Sequence, residues 1–382
     1  MARFTSLILV LSLSLMGCNR SQTDAVAPER NSSATTEQPA QEAAAQSNDA
    51  ASNATPSSTP ATAKPASTSA QAEDRPATLR ALAARLIEPD SVGGWRISES
   101  AALELEKLGP SATQELWTLL GDKSPETRRG AAFYLLGQFN PNRPEQVNAF
   151  LTLLKDQDSL VRSIALQAVQ QMREPDLVSS QALLAESLDP TLTADPNQRA
   201  AIARVLQRLK TRAAESAPRL SQAVANDPDA KVRGAALVAL SNVAPAEEVV
   251  TTARKALADS DPAVRLVAAA RLRQLGKQSA PAAEALADAL ADDDERVRTA
   301  AADTLVRLGT EAVPSLIKQV DAESTAARQL AIACLSRIGP PAKDALPALE
   351  KRQQDEDETV RKLATVAIGK IKQGQPTATD QK

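Results

Sequence analysis

Histidine is absent from all 382 residues, and that one absence removes a large share of enzyme chemistry. No Ser-His-Asp or Cys-His nucleophile can be assembled, and no imidazole can hold zinc or a pair of irons. Cysteine is scarce as well, the two present being Cys18 and Cys334. The aromatics are two tryptophans, one tyrosine and four phenylalanines, and none follows Phe150, so most of the chain has no platform on which bases could stack. Formal net charge is −3, which leaves no excess of base to neutralise phosphates; nucleic acid is not expected as a partner. The apolar run at 7–15 is too short to span a bilayer.

That short run is informative in its setting. Arg3 supplies a positive start, the apolar stretch follows, and small Gly17 precedes Cys18, the layout of a cleaved export signal. Leu15-Met16-Gly17-Cys18 resembles the lipobox of bacterial lipoproteins, with Met where smaller residues are commoner. The resemblance implies a signal peptide over 1–17, lipidation of Cys18 and a durable anchor made of several acyl chains. Asn19, not Asp, follows the cysteine, which by the same analogy points to the outer membrane, facing the periplasm. An ordinary signal peptide beside an incidental cysteine is the other reading.

From 18 to 75 the chain is nearly all Ala, Ser, Thr, Gln, Asn and Pro, with Val26 its only larger aliphatic. Such a segment cannot bury enough apolar surface to offset its ordering entropy and is expected to be a disordered tether. As a flexible coil it reaches roughly 40 Å. A second short tail is expected over 373–382.

Between 76 and 372 one pattern recurs. Arg128, Arg162, Arg199, Arg233, Arg265, Arg298, Arg328 and Arg361 follow one another at intervals of 30 to 37 residues. Three, four and seven positions after each come small or aliphatic residues, such as Ala301, Ala302 and Leu305 after Arg298, which line one face of a helix. Gly276, Gly309 and Gly339 close such helices. A second helix opens with proline, once per repeat: Pro110, Pro144, Pro175, Pro218, Pro245, Pro281, Pro314 and Pro347. Neither helix covers its apolar stripe alone, so the fold expected is an all-α solenoid of stacked helix pairs.

An aspartate stands six residues before the arginine in most repeats: Asp122, Asp156, Asp227, Asp259, Asp292 and Asp355. The repeats of Arg199 and Arg328 lack it, which places doubt on the local geometry there. Asp in the turn can cap the helix. A first-turn arginine meets the unfavourable end of the helix dipole, so carboxylates from its own turn and from the adjoining repeat are expected around it, as a ladder that fixes repeat register.

With these elements in view, residues 98–371 resemble the HEAT-like repeats named after phycobilisome lyases. The resemblance specifies a fold far better than an activity, because that family spans pigment lyases, hydroxylases, DNA glycosylases and plain scaffolds. The deoxyhypusine hydroxylases among them use paired His-Glu motifs, which a chain without histidine cannot form. Cys334, among Ala331, Ile332 and Leu335, reads as a small core residue, and the acidic runs 292–295 and 355–358 read as turn and ladder residues, without calcium-loop spacing. No metal or cofactor site is indicated.

All the aromatics after Phe4 (Trp95, Trp117, Phe133, Tyr134, Phe139, Phe150) fall in the first third of the repeats. Trp117, Phe133 and Tyr134 are candidates for a partner-binding patch. Alternatively the cluster seals an irregular first repeat, with Trp95 as a plug. The function expected is a membrane-anchored, non-catalytic scaffold that binds a protein or peptide in the cell envelope. A lyase-like enzyme and a purely structural spacer are the alternatives.

Overall fold

The computed structural model describes residues 75–91 and 94–373. The signal segment, Cys18, nearly all of the tether and the C-terminal tail lie outside the described residues. The chain runs α1 (Arg75–Leu86), β1 (Ile87–Pro89), β2 (Trp95–Ile97), α2 (Glu99–Lys107), α3 (Pro110–Thr118), α4 (Pro125–Leu136), α5 (Pro144–Leu153), α6 (Ser159–Gln171), α7 (Glu174–Ser179), α8 (Gln181–Glu186) and α9 (Pro196–Leu209). It continues with α10 (Ala217–Asn226), α11 (Ala230–Val243), α12 (Ala246–Ala256), α13 (Pro262–Leu275), α14 (Ala283–Asp288), α15 (Glu295–Leu308), α16 (Val313–Val320), α17 (Thr325–Ile338), α18 (Leu346–Arg352) and α19 (Glu358–Lys372).

Two layers result. The arginine-bearing helices α4, α6, α9, α11, α13, α15, α17 and α19 pack each on the next, and α1 packs on α4 as the first of the row. The second helices form the other layer, with α10 on α12, α14 on α16 and α16 on α18. The seam is made of small residues where helices are closest. Ala131, Ala165, Ala236, Ala268, Ala301, Ala331 and Ala364, each three positions after its arginine, are all fully buried. Leucine four positions further on fills the space above, as at Leu240, Leu272, Leu305 and Leu335, so one hydrophobic core runs the length of the stack.

The all-α expectation acquires one addition at the first repeat. Pro89 stops helical continuation, and β1 pairs antiparallel with β2 in the register Ile87↔Ile97, Glu88↔Arg96 and Pro89↔Trp95. This hairpin and α2 are inserted between α1 and α3. The prolines sit at the first or second helical position of α3, α5, α7, α10, α16 and α18, whereas Pro245 precedes α12 as its cap and Pro281 lies in the 3-10 turn Gly276–Ala282. Gly276, Gly309 and Gly339 close α13, α15 and α17 with φ of 57°, 67° and 72°, where a side chain would be strained. Lys210 occupies the same place after α9 with φ 51°.

Close approach has a second demand at Gly130. A Cβ there would lie 1.8 Å from the carbonyl oxygen of Ala83 on α1, an overlap with backbone that no rotamer relieves. Gly234, inside α11, would meet nothing within 4 Å. Gly130→Ala is therefore expected to force α4 away from α1 and to cost about 1–3 kcal/mol despite better helix propensity. Gly234→Ala is expected to be neutral or to stabilise by up to about 1 kcal/mol. Urea unfolding followed by circular dichroism separates the two, and an equal response at both sites would contradict this packing.

Candidate functional site

The ladder is the densest arrangement of charged groups in the fold. Arg265 shows its geometry: Nε and Nη2 donate to Asp292 Oδ2 at 2.7 Å and Oδ1 at 2.8 Å, while Nη1 donates to the carbonyls of Asp259 at 2.9 Å and Ser260 at 3.2 Å. Arg128 does the same with Asp156, Arg199 with Asp227, and Arg233 with Asp259. Each guanidinium thus takes a bidentate carboxylate from the following repeat, and from its own turn two backbone carbonyls. That differs from the expectation that its own turn supplies a carboxylate. The aspartate six residues before each arginine serves the arginine of the preceding repeat.

The consequence is a shift in where the gaps fall. Thr193 stands in the aspartate position of the Arg199 repeat and Ala322 in that of the Arg328 repeat. Arg199 itself is fully paired and 2% exposed; Arg328 reaches Asp355 at 3.1 Å and Glu356 at 3.3 Å, although its Nε is buried without a partner. The rungs that fail are one repeat earlier. Arg162, buried, keeps its own-turn carbonyls of Asp156 at 2.6 Å and Gln157 at 3.0 Å but finds across the junction Gln198 Oε1 at 3.3 Å in place of a carboxylate, and Gln198 is held in turn by Ser159 and Ser163. Arg298 keeps its own-turn carbonyls of Asp292 at 2.7 Å and Asp293 at 3.0 Å, but has no carboxylate among the described residues. Arg361, in the last described helix, likewise binds only the carbonyls of Asp355 and Glu356 among the described residues.

One rung has no counterpart in the sequence reading. Arg80 on α1 forms an ion pair with Asp122 across 2.7 Å, so the ladder begins one helix before Arg128. The inserted hairpin and α2 stretch the spacing there, which hides Arg80 from a periodic search; the unexplained Asp122 was the available signal.

Helix capping is a separate task. The residue four before the arginine does it: the side chains of Asp158, Asp195, Asp229, Asp261, Asp294 and Asp357 accept from the first-turn N–H groups of their helices, and Ser124 and Ser324 replace them in α4 and α17. The ladder aspartate locks this turn by accepting from the cap's own N–H, as Asp292 does from Asp294 at 2.9 Å. The acidic runs at 292 and 355 are largely explained by these two tasks. The Arg265 hydrogen bond holds the Asp292 carboxyl below its ordinary value, against burial. Burial pushes Asp259 up, but the Arg233 hydrogen bond and nearby donors outweigh it and the net direction is down.

The aromatic candidates separate. Phe133 is 1% and Tyr134 4% exposed, so both belong to the core and no partner can reach them. Trp117 is half-buried and packs edge-on against Phe150, with ring centres 5.8 Å apart; Phe139 also meets Phe150 edge-on at 5.2 Å. Trp95 on β2 lies under the guanidinium of Arg129 at 4.6 Å, and Arg129 pairs with the capping Asp158. The cluster thus seals the first repeats and ties the hairpin to α6. Trp117 alone of the three candidates retains an accessible surface.

Cys334 is buried, its Sγ facing the Ala302 carbonyl oxygen at 3.7 Å, and burial pushes its thiol up to about 12. Among the described residues no three His, Cys, Asp or Glu side chains converge as metal ligands, and no helix is long and apolar enough to cross a membrane.

Comparison with a family model agrees with this architecture. The family model described as HEAT repeats matches residues 113–192, 250–323 and 313–381. No curated protein sequence matches the chain. Among solved structures, the karyopherin Kap121p bound to the extreme C-terminus of the protein phosphatase Cdc14p is similar over 80% of this chain and 39% of that one, at 14% identity and a TM-score of 0.47. An engineered protein is similar over 60% and 97% of the two chains, at 21% identity and a TM-score of 0.31. Human deoxyhypusine hydroxylase is similar over 72% and 100%, at 23% identity and a TM-score of 0.28.

The rungs differ in burial, and their removal is expected to differ accordingly. Asp227→Ala strands Arg199 without a carboxylate in the interior and should cost about 3–5 kcal/mol. Asp156→Ala leaves Arg128, 13% exposed, with access to water and should cost about 1.5–3 kcal/mol. Urea midpoints would show that order, and a reversal would contradict it. The depressed carboxyls of Asp259, Asp292 and Asp355 also set an acid limit. Their stabilisation is complete above the unfolded value of 3.8 and is lost as pH falls through the lower folded values. Stability measured from pH 6 downward should therefore hold to about pH 4 and fall below it.

Proposed function

Because the chain belongs to the HEAT-repeat family, we propose that it is a non-catalytic scaffold that holds a protein or peptide partner on its second helix layer, and that it is tethered to a membrane through Cys18. The observation that carries this reading is the division of labour between the layers. Most of the buried charge lies in the arginine ladder of the first layer and serves repeat register. The second layer instead carries polar side chains that reach across repeats. Lys318 meets Glu284 at 2.8 Å, Gln319 meets Asp288 at 2.8 Å, and Ser221 meets Glu248 at 2.8 Å. A groove of about 450 Å³ between α12 and the 3-10 turn before α14 is lined by Glu247, Val250, Thr251, Gln278 and Pro281. Mixed charge, shallow relief and length suit a broad polar contact with another polypeptide.

The remainder of the proposal follows from sequence. Residues 1–17 are removed as a signal, lipidated Cys18 holds the chain at the outer membrane facing the periplasm, and 18–75 is the spacer that lifts the repeats away from the surface. The finer likeness to the phycobilisome-lyase class of repeat is read as shared scaffold, since an exported, tethered protein is in the wrong compartment for pigment assembly.

Two measurements decide. In cells fed a labelled fatty acid, the chain is expected to carry the label, Cys18→Ser to lose it and to leave the membrane fraction; label on the variant rejects the anchor. A photo-crosslinking residue at Thr251 or Trp117 of the full chain is expected to capture one saturable polypeptide. Absence of any adduct from both positions favours the spacer.

A further inference from the structure

We propose that the open edge of Arg298 is a recognition site for a single carboxylate, contributed by an Asp or Glu side chain of the bound partner. The inference rests on the scaffold reading and adds a contact outside the second layer, at the first turn of α15. The site is defined by comparison with the rung next to it. Arg265 and Arg298 are held identically from behind, each by Nη1 on two carbonyls of its own turn. In Arg265 the Nε–Nη2 edge then closes on Asp292. In the repeat after Arg298, Ala322 takes the position of the aspartate that closes the Arg265 edge, a methyl group in place of a carboxylate. No partner of Nε or Nη2 occurs among the described residues, and neither atom is occluded from water. The guanidinium is therefore oriented by its own turn and short of the bidentate acceptor that its neighbours possess.

The surroundings set the selectivity. Asp321, next to the vacancy, is drawn away to Arg352, so it does not fill the gap from within. Asp292 is committed to Arg265 and Asp294 to Arg296. Exposed Asp293 and Glu323 flank the approach and repel a run of acids, which favours one carboxylate between neutral residues. Depth is suitable too: in the rungs of Arg128, Arg233 and Arg265 the arginine keeps 12–15% and the aspartate 7–10% of its side chain exposed, so an acceptor arriving from outside needs only one side chain's reach. Arg162 does not share this property, because Gln198 closes its edge.

Arginine footprinting of the full chain with phenylglyoxal, read residue by residue by mass spectrometry, tests the proposal. Arg298 is expected to react at least tenfold faster than Arg233 and Arg265. N-acetyl-aspartate amide at millimolar concentration is expected to slow it several-fold, and N-acetyl-asparagine amide to leave it unchanged. Ala322→Asp restores the missing acceptor and should bring Arg298 down to the rate of Arg265, with the Arg265 rate itself unaltered as the control for folding. A slow Arg298 that Glu323→Gln accelerates would mean the edge is already filled from within, and overturns the site. Protection by inorganic phosphate without protection by the aspartate amide overturns the carboxylate assignment. Once a polypeptide is captured by crosslinking, Arg298 should be protected in the complex, and Arg298→Gln should weaken capture about tenfold. Capture with Arg298 still reactive defeats this inference and leaves the scaffold standing. Absence of any captured polypeptide defeats the scaffold reading and this assignment to a partner together, while the footprint by itself still decides whether the edge takes a carboxylate.

Discussion

A guanidinium in the first turn of a helix is an awkward object, and the stack is organised around making it tolerable. The helix end it occupies already carries partial positive charge, so the arginine raises the energy of its own helix unless negative groups surround it. Two carbonyls of its own turn satisfy one edge, and these would otherwise be loop acceptors left to water. The other edge is satisfied by the next repeat. A helix pair is therefore electrostatically complete only when its successor is present, just as its alanine stripe is covered only when the successor packs on it. Hydrophobic seam and ladder impose the same register by independent means.

This coupling makes stability a property of junctions. In a stack where each pair contacts its neighbours, the whole is close to a sum of nearest-neighbour terms. Junctions with a closed rung combine apolar burial with a bidentate ion pair, and the one between Arg199 and Asp227 is buried so completely that its loss is costly even if its formation gains little. The junctions after Arg162 and Arg298 lack that bidentate rung: the first has an amide standing in for a carboxylate, and the second keeps the exposed Arg337–Asp303 pair at 3.0 Å beside its apolar contact. The ladder is thus three linked runs, and the two intervening joints are the places where repeats can shift relative to one another at least electrostatic cost.

Much of this was legible in the sequence, for a physical reason: a 3.6-residue period, alanine at the close approach and one arginine per repeat each report directly on local structure. Partner choice was less legible. Asp259 stands six residues before Arg265, and proximity in the chain suggests that the two pair; in space it closes on Arg233, the arginine before it. Sequence distance measures contacts within a turn and is blind to which side of a stack a side chain faces. The same blindness placed the doubt at Arg199 and Arg328, when the missing aspartates disarm Arg162 and Arg298. Phe133 and Tyr134 were misplaced for a related reason. The helix that carries them packs on α1, an element outside the period, and Tyr134 lies near Glu106 of the inserted α2; the Arg80 rung was hidden by the same insertion.

The inserted hairpin shows how such a stack can be ended without waste. A terminal helix pair lacks a neighbour on one side, and the usual remedy is a polar outer face. Here the solution is bulk: Trp95 from β2 is held under Arg129, and Arg129 is held by Asp158, which at the same time caps α6. A side chain from outside the repeat pattern is thereby fastened to the turn two helices along, by a cation that bridges an aromatic face and a capping carboxylate. The first repeat is rigidified through the same turn that the regular repeats use, and aromatic residues become unnecessary once that regular pattern is established. That is why they cease after Phe150: beyond it, each helix pair finds in its neighbour the surface that the first one had to be given.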